Sequence, residues 1–440
     1  MVRLSAGLLL SRTGDQLTTI ALLWFVLDLT GSSVAVGLVL LCAGLPPVVT
    51  GPLLGRALDR WSPRRVMVAD NLLRAALVGA IPALHWLGRL DMPLVYGLSL
   101  ASGALIPATD VGARVLLPRL VDEDELERAN ALLSVGDQVS ALVGPAVGGL
   151  LVGMVGAPAV LLLDALSFLA MAALARPLPD PPAAAGAGPQ AQASAIRAAL
   201  GDPKVRVVFA VTLVYFLAYG PLEPALPLYS RDVLDAGPGG YGLLWSAFGA
   251  GALLGLATVP VVGRLRPGLA LAGNALGWGL TLLPLLFVTS TAPAMLVLAV
   301  GGLIWAPYAT LEASLLQRLV PASLLGRAFG VRRAVTAAAT PLGAAGGGLL
   351  LDHATATAVI GLSAVTCALA GAAGLCLPAL RLIPARRGPP RAAGCPRRTA
   401  RRRRPGPGSP GRRAGSGRPG PASSPPPRRE PPSAAPRPAG

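Results

Sequence analysis

Six acidic residues stand inside stretches that are otherwise apolar: Asp15, Asp110, Asp137, Asp164, Glu223 and Glu312. A carboxylate is costly in such surroundings unless it is paired or hydrogen-bonded, so each is a functional candidate. A carboxylic acid that alternates between water and an apolar cavity can take up and release a proton, which makes proton relay the chemistry these residues could perform. The competing role for each is a structural ion pair or a helix-end hydrogen bond. Asp70 and Arg74, four positions apart, read most simply as an intrahelical pair. Other chemistries lack their residues. Cys42, Cys367, Cys376 and Cys395 show no disulfide or metal-type spacing, and His85 and His353 have no Cys or His neighbours in sequence. With no glycine-rich phosphate loop and no nucleophile elbow, the chain reads as a non-enzyme with no cofactor and no metal site.

The elements that would position these acids are membrane helices. The chain is 53% hydrophobic and only 13% charged, against roughly 25% charged for a soluble domain. About 20 apolar residues span a bilayer, and twelve such stretches follow one another, near residues 5–27, 34–57, 67–87, 94–117, 131–154, 158–175, 206–228, 241–262, 269–289, 293–315, 329–351 and 355–377. The first lacks a small-residue cleavage site and is followed almost at once by the second, so it reads as a span and not as a cleaved signal. Trp24, Trp86, Trp245, Trp278 and Trp305 fit interfacial or cavity-lining positions, and spacing does not separate the two.

The net charge of +17 divides unevenly: residues 379–440 hold 16 arginines against Glu430, leaving 22 basic and 20 acidic residues for the rest. The basic excess is therefore not a nucleic-acid footprint of the main body, and no specific nucleic-acid partner is expected. Of the 22 basic residues before the tail, nineteen fall at the N-terminal end or in alternate loops, while Arg89 and Arg231 fall in loops of opposite parity and Arg74 lies within a span. By the positive-inside rule both termini are cytoplasmic. Lys204 is the only lysine, and the dominance of Ala, Gly, Pro and Arg points to a GC-rich bacterial genome, hence a bacterial plasma membrane. Residues 177–204 have the Pro, Ala, Gly and Gln content of a flexible linker. The expected layout is a six-helix bundle over 1–176, that linker, a second six-helix bundle over 205–378, and a disordered Arg/Pro-rich cytoplasmic tail over 379–440. The halves repeat: residues 117–151 slide onto 316–350 without gaps, aligning Arg119 with Arg318, Arg128 with Arg327, Gly144 with Gly343, Gly148 with Gly347 and Gly149 with Gly348.

The stretch Gly51 to Arg65 lies between the second and third spans and concentrates glycines, Asp59, Arg56, Arg60, Arg64 and Arg65 in one turn. It resembles the loop between helices two and three of the major facilitator superfamily, Gly-x-x-x-Asp-Arg-x-Gly-Arg-Arg, with Gly55, Asp59 and Arg60 in register. Ser62 replaces the second glycine, and Pro63 shifts the basic pair to Arg64 and Arg65. A second stretch, Gly144-Pro145-Ala146-Val147-Gly148-Gly149, reads on spacing alone as a packing notch. It is also similar to the antiporter motif of drug/proton exchangers in that superfamily. Gly14-Asp15-Gln16, Leu117-Pro118-Arg119-Leu120-Val121, Asp164-Ala165-Leu166-Ser167-Phe168 and the run from Gly220 to Tyr229 resemble its macrolide-efflux and enterobactin-exporter-like group.

That resemblance covers about residues 5–380 and implies an all-α membrane protein of twelve helices in two pseudo-symmetric bundles, rocking about a midplane cavity. It implies a monomeric proton-coupled exporter of an amphipathic small molecule, a drug, siderophore or secondary metabolite, surrounded by membrane lipid. A lipid-like substrate such as a lysophospholipid, or a membrane scaffold or sensor that does not transport, are the alternatives. It brings Asp15 and Glu223 forward, because spans one and seven line the cavity in this fold, and casts Asp59 with Gly55, Arg60, Arg64 and Arg65 as a conformational latch against the start of span eleven. The fourth span lacks the mid-helix arginine of better-known drug exporters, so a relay through that group does not carry over. The tail's arginines could adhere to anionic lipid, although a poorly constrained extension is the simpler reading. Deleting everything after Arg381 is expected to leave transport intact; a large loss of activity would overturn the reading of the tail as dispensable.

Overall fold

The computed structural model describes residues 2–58, 61–122, 125–179, 201–263, 265–381 and 383. The regular structure among those residues is all helical, with no strand among them. Eleven helical segments are long and apolar enough to cross a bilayer. The twelfth span is α1 (Val2–Thr30), whose 29 residues are ample in length but include Arg12, Asp15, Gln16, Thr18 and Thr19. Its polarity is local. Leu4 and Leu8 are buried on one side of that stretch and Ile20 to Leu27 on the other, so the middle of α1 alone faces something wetter than lipid or core.

The remaining helices in chain order are α2 (Ser33–Gly44), α3 (Pro46–Leu58), α4 (Pro63–Trp86), α5 (Met92–Leu116), α6 (Leu126–Val155), α7 (Ala157–Ala175), α8 (Pro203–Tyr219), α9 (Leu222–Leu228), α10 (Gly237–Leu256), α11 (Pro267–Leu282), α12 (Thr291–Trp305), α13 (Tyr308–Leu319), α14 (Ala322–Leu351) and α15 (Ala356–Cys376). Three spans are broken where proline removes a backbone donor: α2 from α3 at Pro46, α8 from α9 at Gly220-Pro221, and α12 from α13 at Ala306-Pro307. Such breaks are tolerated at membrane depth where protein or a cavity covers the freed groups.

Before the linker, α1 packs on α6 and α7, and α4 on α5 and α7; after it, α10 packs on α12, and α11 and α8 on α15. Beside smaller contacts of α2 with α9 and of α3 with α14, the two most extensive pairings that join these sets are α6 with α10 and α2 with α14. They obey the repeat. α6 and α14 are both 30 residues long, and the equivalent glycines Gly149 and Gly348 each make the crossing. A Cβ on Gly149 would stand 2.6 Å from the Cα and N of Gly242, and one on Gly348 would stand 3.0 Å from the Cα of Gly37. Between helices in lipid, where apolar surface gains nothing from leaving water, such close backbone approach supplies the packing energy. Both contacts lie at the end of the bundle opposite the α3/α4 and α13/α14 loops. The latter end is called the basic end, after Arg64, Arg65, Arg119, Arg318 and Arg327. Residues 180–200 of the linker and 384–440 of the tail lie outside the described residues.

Substituting Gly149 by valine overfills the α6–α10 contact, with an expected cost of about 1–3 kcal/mol in the state closed at this end. Spin labels at Met154 and Leu243, both exposed, report the result: their separation should lengthen, and an unchanged distance distribution would refute the contact.

Candidate functional site

The polar middle of α1 opens onto a cavity of about 400 Å³ bordered by α1, α2, α4, α5, α6 and one residue of α14, Arg333. Buried charge inside a bilayer survives when it is paired, and nearly every charge here is. Arg74 of α4 is 4% exposed; its guanidinium is ion-paired with Asp15 and lies 4.1 Å from the centroid of the Phe168 ring. Arg12 bridges α5 and α6, donating to Asp110 at 2.8 Å and pairing with Asp137. Asp110 also accepts from Arg333 at 2.9 Å, an ion pair between the helices before the linker and those after it. Asp164, fully buried on α7, accepts from the hydroxyl of Thr18 and from Ser167 at 2.8 Å.

A second lobe of about 250 Å³ lies between α1, α2 and α6 on one side and α8, α9, α10, α12 on the other. Gln16, Thr19 and Leu40 line both lobes, so the two are neighbouring compartments of one inter-bundle space. Its walls are rings: Phe216 and Tyr219 from α8, Tyr241, Trp245 and Phe248 from α10, and Trp305 from α12. Trp245 and Phe248 meet edge to face at 5.2 Å, and Phe248 and Trp305 are tilted at 5.6 Å. The break at Gly220-Pro221 delivers Glu223 into this wall. Glu223 is the only charged residue among the lining groups, and among the described residues no hydrogen bond or ion pair reaches its carboxylate.

The structure therefore sorts the sequence candidates. Asp15 and Asp137 line the polar lobe and Glu223 the aromatic one. Asp164 and Glu312 are sealed in packing. Glu312 is 0% exposed, accepting from Arg332 at 2.6 Å and from Thr212 at 2.8 Å. The expected Asp70–Arg74 pair is corrected: Arg74 turns to Asp15, and Asp70 accepts the Thr109 hydroxyl. Four residues of helix put two groups on one face without dictating which tertiary neighbour each meets first. Trp24 and Trp278 are core residues, Trp86 is exposed, and Trp245 and Trp305 line the cavity. Arg12, Arg74 and Arg333 had been missed as site residues; an arginine wholly within a span, as Arg74 is, was the available signal.

The glycine motif of α6 is a two-sided seam. A Cβ on Gly148 would meet Ile20 of α1 at 3.2 Å and Gly144 faces Gln16 of α1, while Gly149 faces α10; Pro145 lines the aromatic lobe. Of the latch candidates, Asp59 and Arg60 lie outside the described residues. Gly55 falls in α3, Arg64 donates to the carbonyl of Arg176 at 3.2 Å, and Arg65 is exposed.

A bundle of membrane-spanning helices enclosing a cavity between two repeat-related sets is the architecture of a membrane transporter of the major facilitator type, not of an enzyme. The profile of the family described as transmembrane secretion effector matches residues 4–387, and the chain belongs to that family. It is 29% identical over 378 residues to an uncharacterized MFS-type transporter, y4rN, of Sinorhizobium fredii, covering 84% of this chain and 92% of that one. It is 29% identical over 385 residues to the multidrug efflux pump Tap of Mycolicibacterium fortuitum, with 84% and 93% covered, and 23% identical over 352 residues to macrolide efflux protein A of Streptococcus pyogenes, with 77% and 86% covered. In fold it is similar to the nucleoside transporter NupG, with TM-score 0.71 at 14% identity over 85% of this chain and 98% of that one. It is similar as well to a bacterial homologue of the iron transporter ferroportin in an inward-facing state, with TM-score 0.64 at 18% identity over 85% and 97%. The protein is thus a multi-pass integral membrane transporter.

Replacing Arg74 by methionine strands Asp15 inside the bundle, an expected loss of about 3–5 kcal/mol. Adding Asp15→Leu to that variant should restore much of it. Thermal unfolding in detergent reads both, and equal stabilities for the single and double variants would contradict the pairing.

Proposed function

We propose that the protein is a proton-coupled exporter of amphipathic small molecules, working by alternating access. The observation that carries this reading is Glu223: a carboxylate with no hydrogen bond or ion pair among the described residues, in an aromatic cavity between the two sets of helices. Relatives named as multidrug and macrolide efflux proteins favour the outward direction and a drug-like cargo. The basic end is assigned to the cytoplasm with both termini, on the loop charges. The two bundles, 1–176 and 205–378, are the rocking units.

In this scheme the seam at the far end, Gly149 on Gly242 and Gly348 on Gly37, holds the exit shut while cargo enters from the basic end. Proton arrival at Glu223 from outside and its departure to the cytoplasm accompany the switch. Asp15, held by Arg74, keeps the polar lobe hydrated and is a second candidate for the relay, as is Asp137 beside Arg12. Asp164 and Glu312 serve as fixed structural pairs. The loop carrying Gly55, Asp59, Arg60, Arg64 and Arg65 acts as latch when the basic end closes.

Inverted membrane vesicles with an imposed pH gradient test the proposal. Wild-type vesicles should accumulate a macrolide-like or dye substrate as the gradient drives it, and Glu223→Gln should reduce that rate to the level of vesicles without the protein. A gradient-driven rate unchanged by Glu223→Gln would remove Glu223 from the relay, and accumulation indifferent to the gradient in the wild type would overturn proton coupling.

A further inference from the structure

We infer that Thr109 and Asp70 form a proton exit through the wall of the bundle, from the polar lobe to a separate groove at the basic end, so that proton and cargo pass that end by different routes. The inference rests on the proton-coupled reading above and adds the path by which the proton departs.

Asp70 is a buried acid that the proposed cycle leaves unused. It is 3% exposed and, unlike Asp15, Asp110, Asp137 and Glu312, it enters no ion pair among the described residues. Its Oδ2 accepts the Thr109 hydroxyl at 2.5 Å, while its Oδ1 has no hydrogen-bond partner. Buried polar atoms are nearly always paired, so a lone carboxylate oxygen in a bundle calls for a use. A clamp between α4 and α5 needs no acid, since Asn71 of α4 already donates to Thr109 at 2.7 Å.

Its position supplies the use. Thr109 lines the polar lobe, and Asp70 lines a groove of about 540 Å³ between α3, α4 and α5. The two spaces share no lining residue, and the hydrogen bond from Thr109 to Asp70 joins their walls. Trp61, Ser62 and Arg65 carry the groove to the basic end. From Pro63, where α4 starts, to Asp70 is about 10 Å along the helix at about 1.5 Å per residue. On the inner side, Gln16 and Thr19 line both the polar lobe and the lobe that holds Glu223, which gives a proton released at Glu223 a polar way to Thr109.

The hydrogen bonds also fix a direction. The carbonyl of Met67 only accepts, so the bond it receives from Asn71 at 2.8 Å sets the amide with Nδ2 toward Met67 and Thr109. Thr109 therefore accepts from Asn71 and gives its single hydrogen to Asp70, keeping one lone pair for a donor in the polar lobe. A proton delivered by water of the lobe forms an O–H bond on that lone pair as the original Thr109 O–H bond breaks toward Oδ2 of Asp70. Asp70 is then a neutral acid, and a half-turn of its carboxyl group presents the proton to water in the groove. Rotation of the Thr109 hydroxyl restores the start, one proton having crossed. The charged groups facing Asp70 are Arg74 and Arg65 on its own helix and Asp15 on α1, with Asp164 of α7 beyond Arg74. From α3 and α5 come only Leu54, Leu105, Ala108 and Thr109, so the acid gains and loses its charge beside groups of both signs.

The test uses the full chain reconstituted in lipid vesicles. Infrared difference spectra between mildly acidic and mildly alkaline pH should show a carboxylic-acid carbonyl band that Asp70→Asn removes and Asp70→Glu shifts. An Asp70 that is only a clamp keeps one protonation state, and a difference spectrum untouched by either variant overturns the inference. The second readout is the ratio of uptake driven by an imposed pH gradient to exchange at equal pH, with ethidium and erythromycin as the compounds carried. Thr109→Val, which keeps the shape and loses the hydroxyl, should lower that ratio by about a hundredfold, and Thr109→Ser should retain it. A ratio unmoved by Thr109→Val in a protein whose wild type responds to the gradient overturns the exit and leaves proton coupling intact. A wild type indifferent to the gradient overturns both. Where Asp70→Asn does not fold, Asp70→Glu and the two Thr109 variants decide; where neither compound is carried, the infrared spectra decide.

Discussion

A charge inside hydrocarbon has no water to lean on, and the arrangement of this bundle follows from how each one is compensated. Arg74 is held by Asp15, Arg12 by Asp110 and Asp137, and Arg332 by Glu312. Each pair ties one helix to another: α1 to α4 and α1 to α5 and α6, which are remote in sequence, and α13 to its successor α14. Removing Asp15 would strand the buried Arg74 at a cost of about 3–5 kcal/mol, and these pairs act as struts within the bundle. Glu223 stands outside that scheme: among the described residues no hydrogen bond or ion pair reaches its carboxylate.

The two ends of the inter-bundle space are held by different physics. At the end away from the basic loops, Gly149 lies on Gly242 and Gly348 on Gly37, contacts made of backbone and indifferent to water or salt. Toward the basic end, beside a small contact of α3 with α14, the halves are linked by an ion pair, Asp110 with Arg333, whose arginine side chain is 64% exposed. An exposed pair is weakened by solvent and is worth little by itself. A bundle closed by packing at one end and by a hydrated charge pair at the other yields first at the charged end. That asymmetry favours opening toward the basic loops in the conformation seen here.

Much of this was legible in the chain because a bilayer imposes simple rules. Length and apolarity fixed the spans, and a gapless repeat announced that Gly149 and Gly348 are equivalents before either was seen to cross between halves. The polar stretch of α1 was legible as candidate acid Asp15 but not as the reason that span falls short in apolarity. Pairings were the hidden part. Asp110 meets Arg12 across 98 positions and Arg333 across 223, and Asp70 prefers Thr109, 39 positions away, to the arginine one turn along its own helix. Periodicity names a face and never the neighbour it meets. The aromatic lobe was equally obscure: Trp245 and Trp305 belong to different helices, and only the bends at Gly220-Pro221 and Ala306-Pro307 turn them to one space.

Those bends connect the glycine motif to the acids. Gly144 packs α6 onto α1 at Gln16, the neighbour of Asp15, and its repeat equivalent Gly343 packs α14 onto α8 at Gly220, three residues before Glu223; the Cβ that Gly220 lacks would lie 2.6 Å from the Cα of Gly343. The same device in both halves therefore fixes the span that carries an acid to the cavity. On the second side it also allows the helix to break, since Gly220 can approach only because neither partner has a side chain there, and Pro221 then denies α8 its continuation. A side chain at Gly343 would shift the bend and with it Glu223. The motif's small residues are in this sense part of the acid's geometry: they carry no chemistry of their own, and they determine where the carboxylate stands.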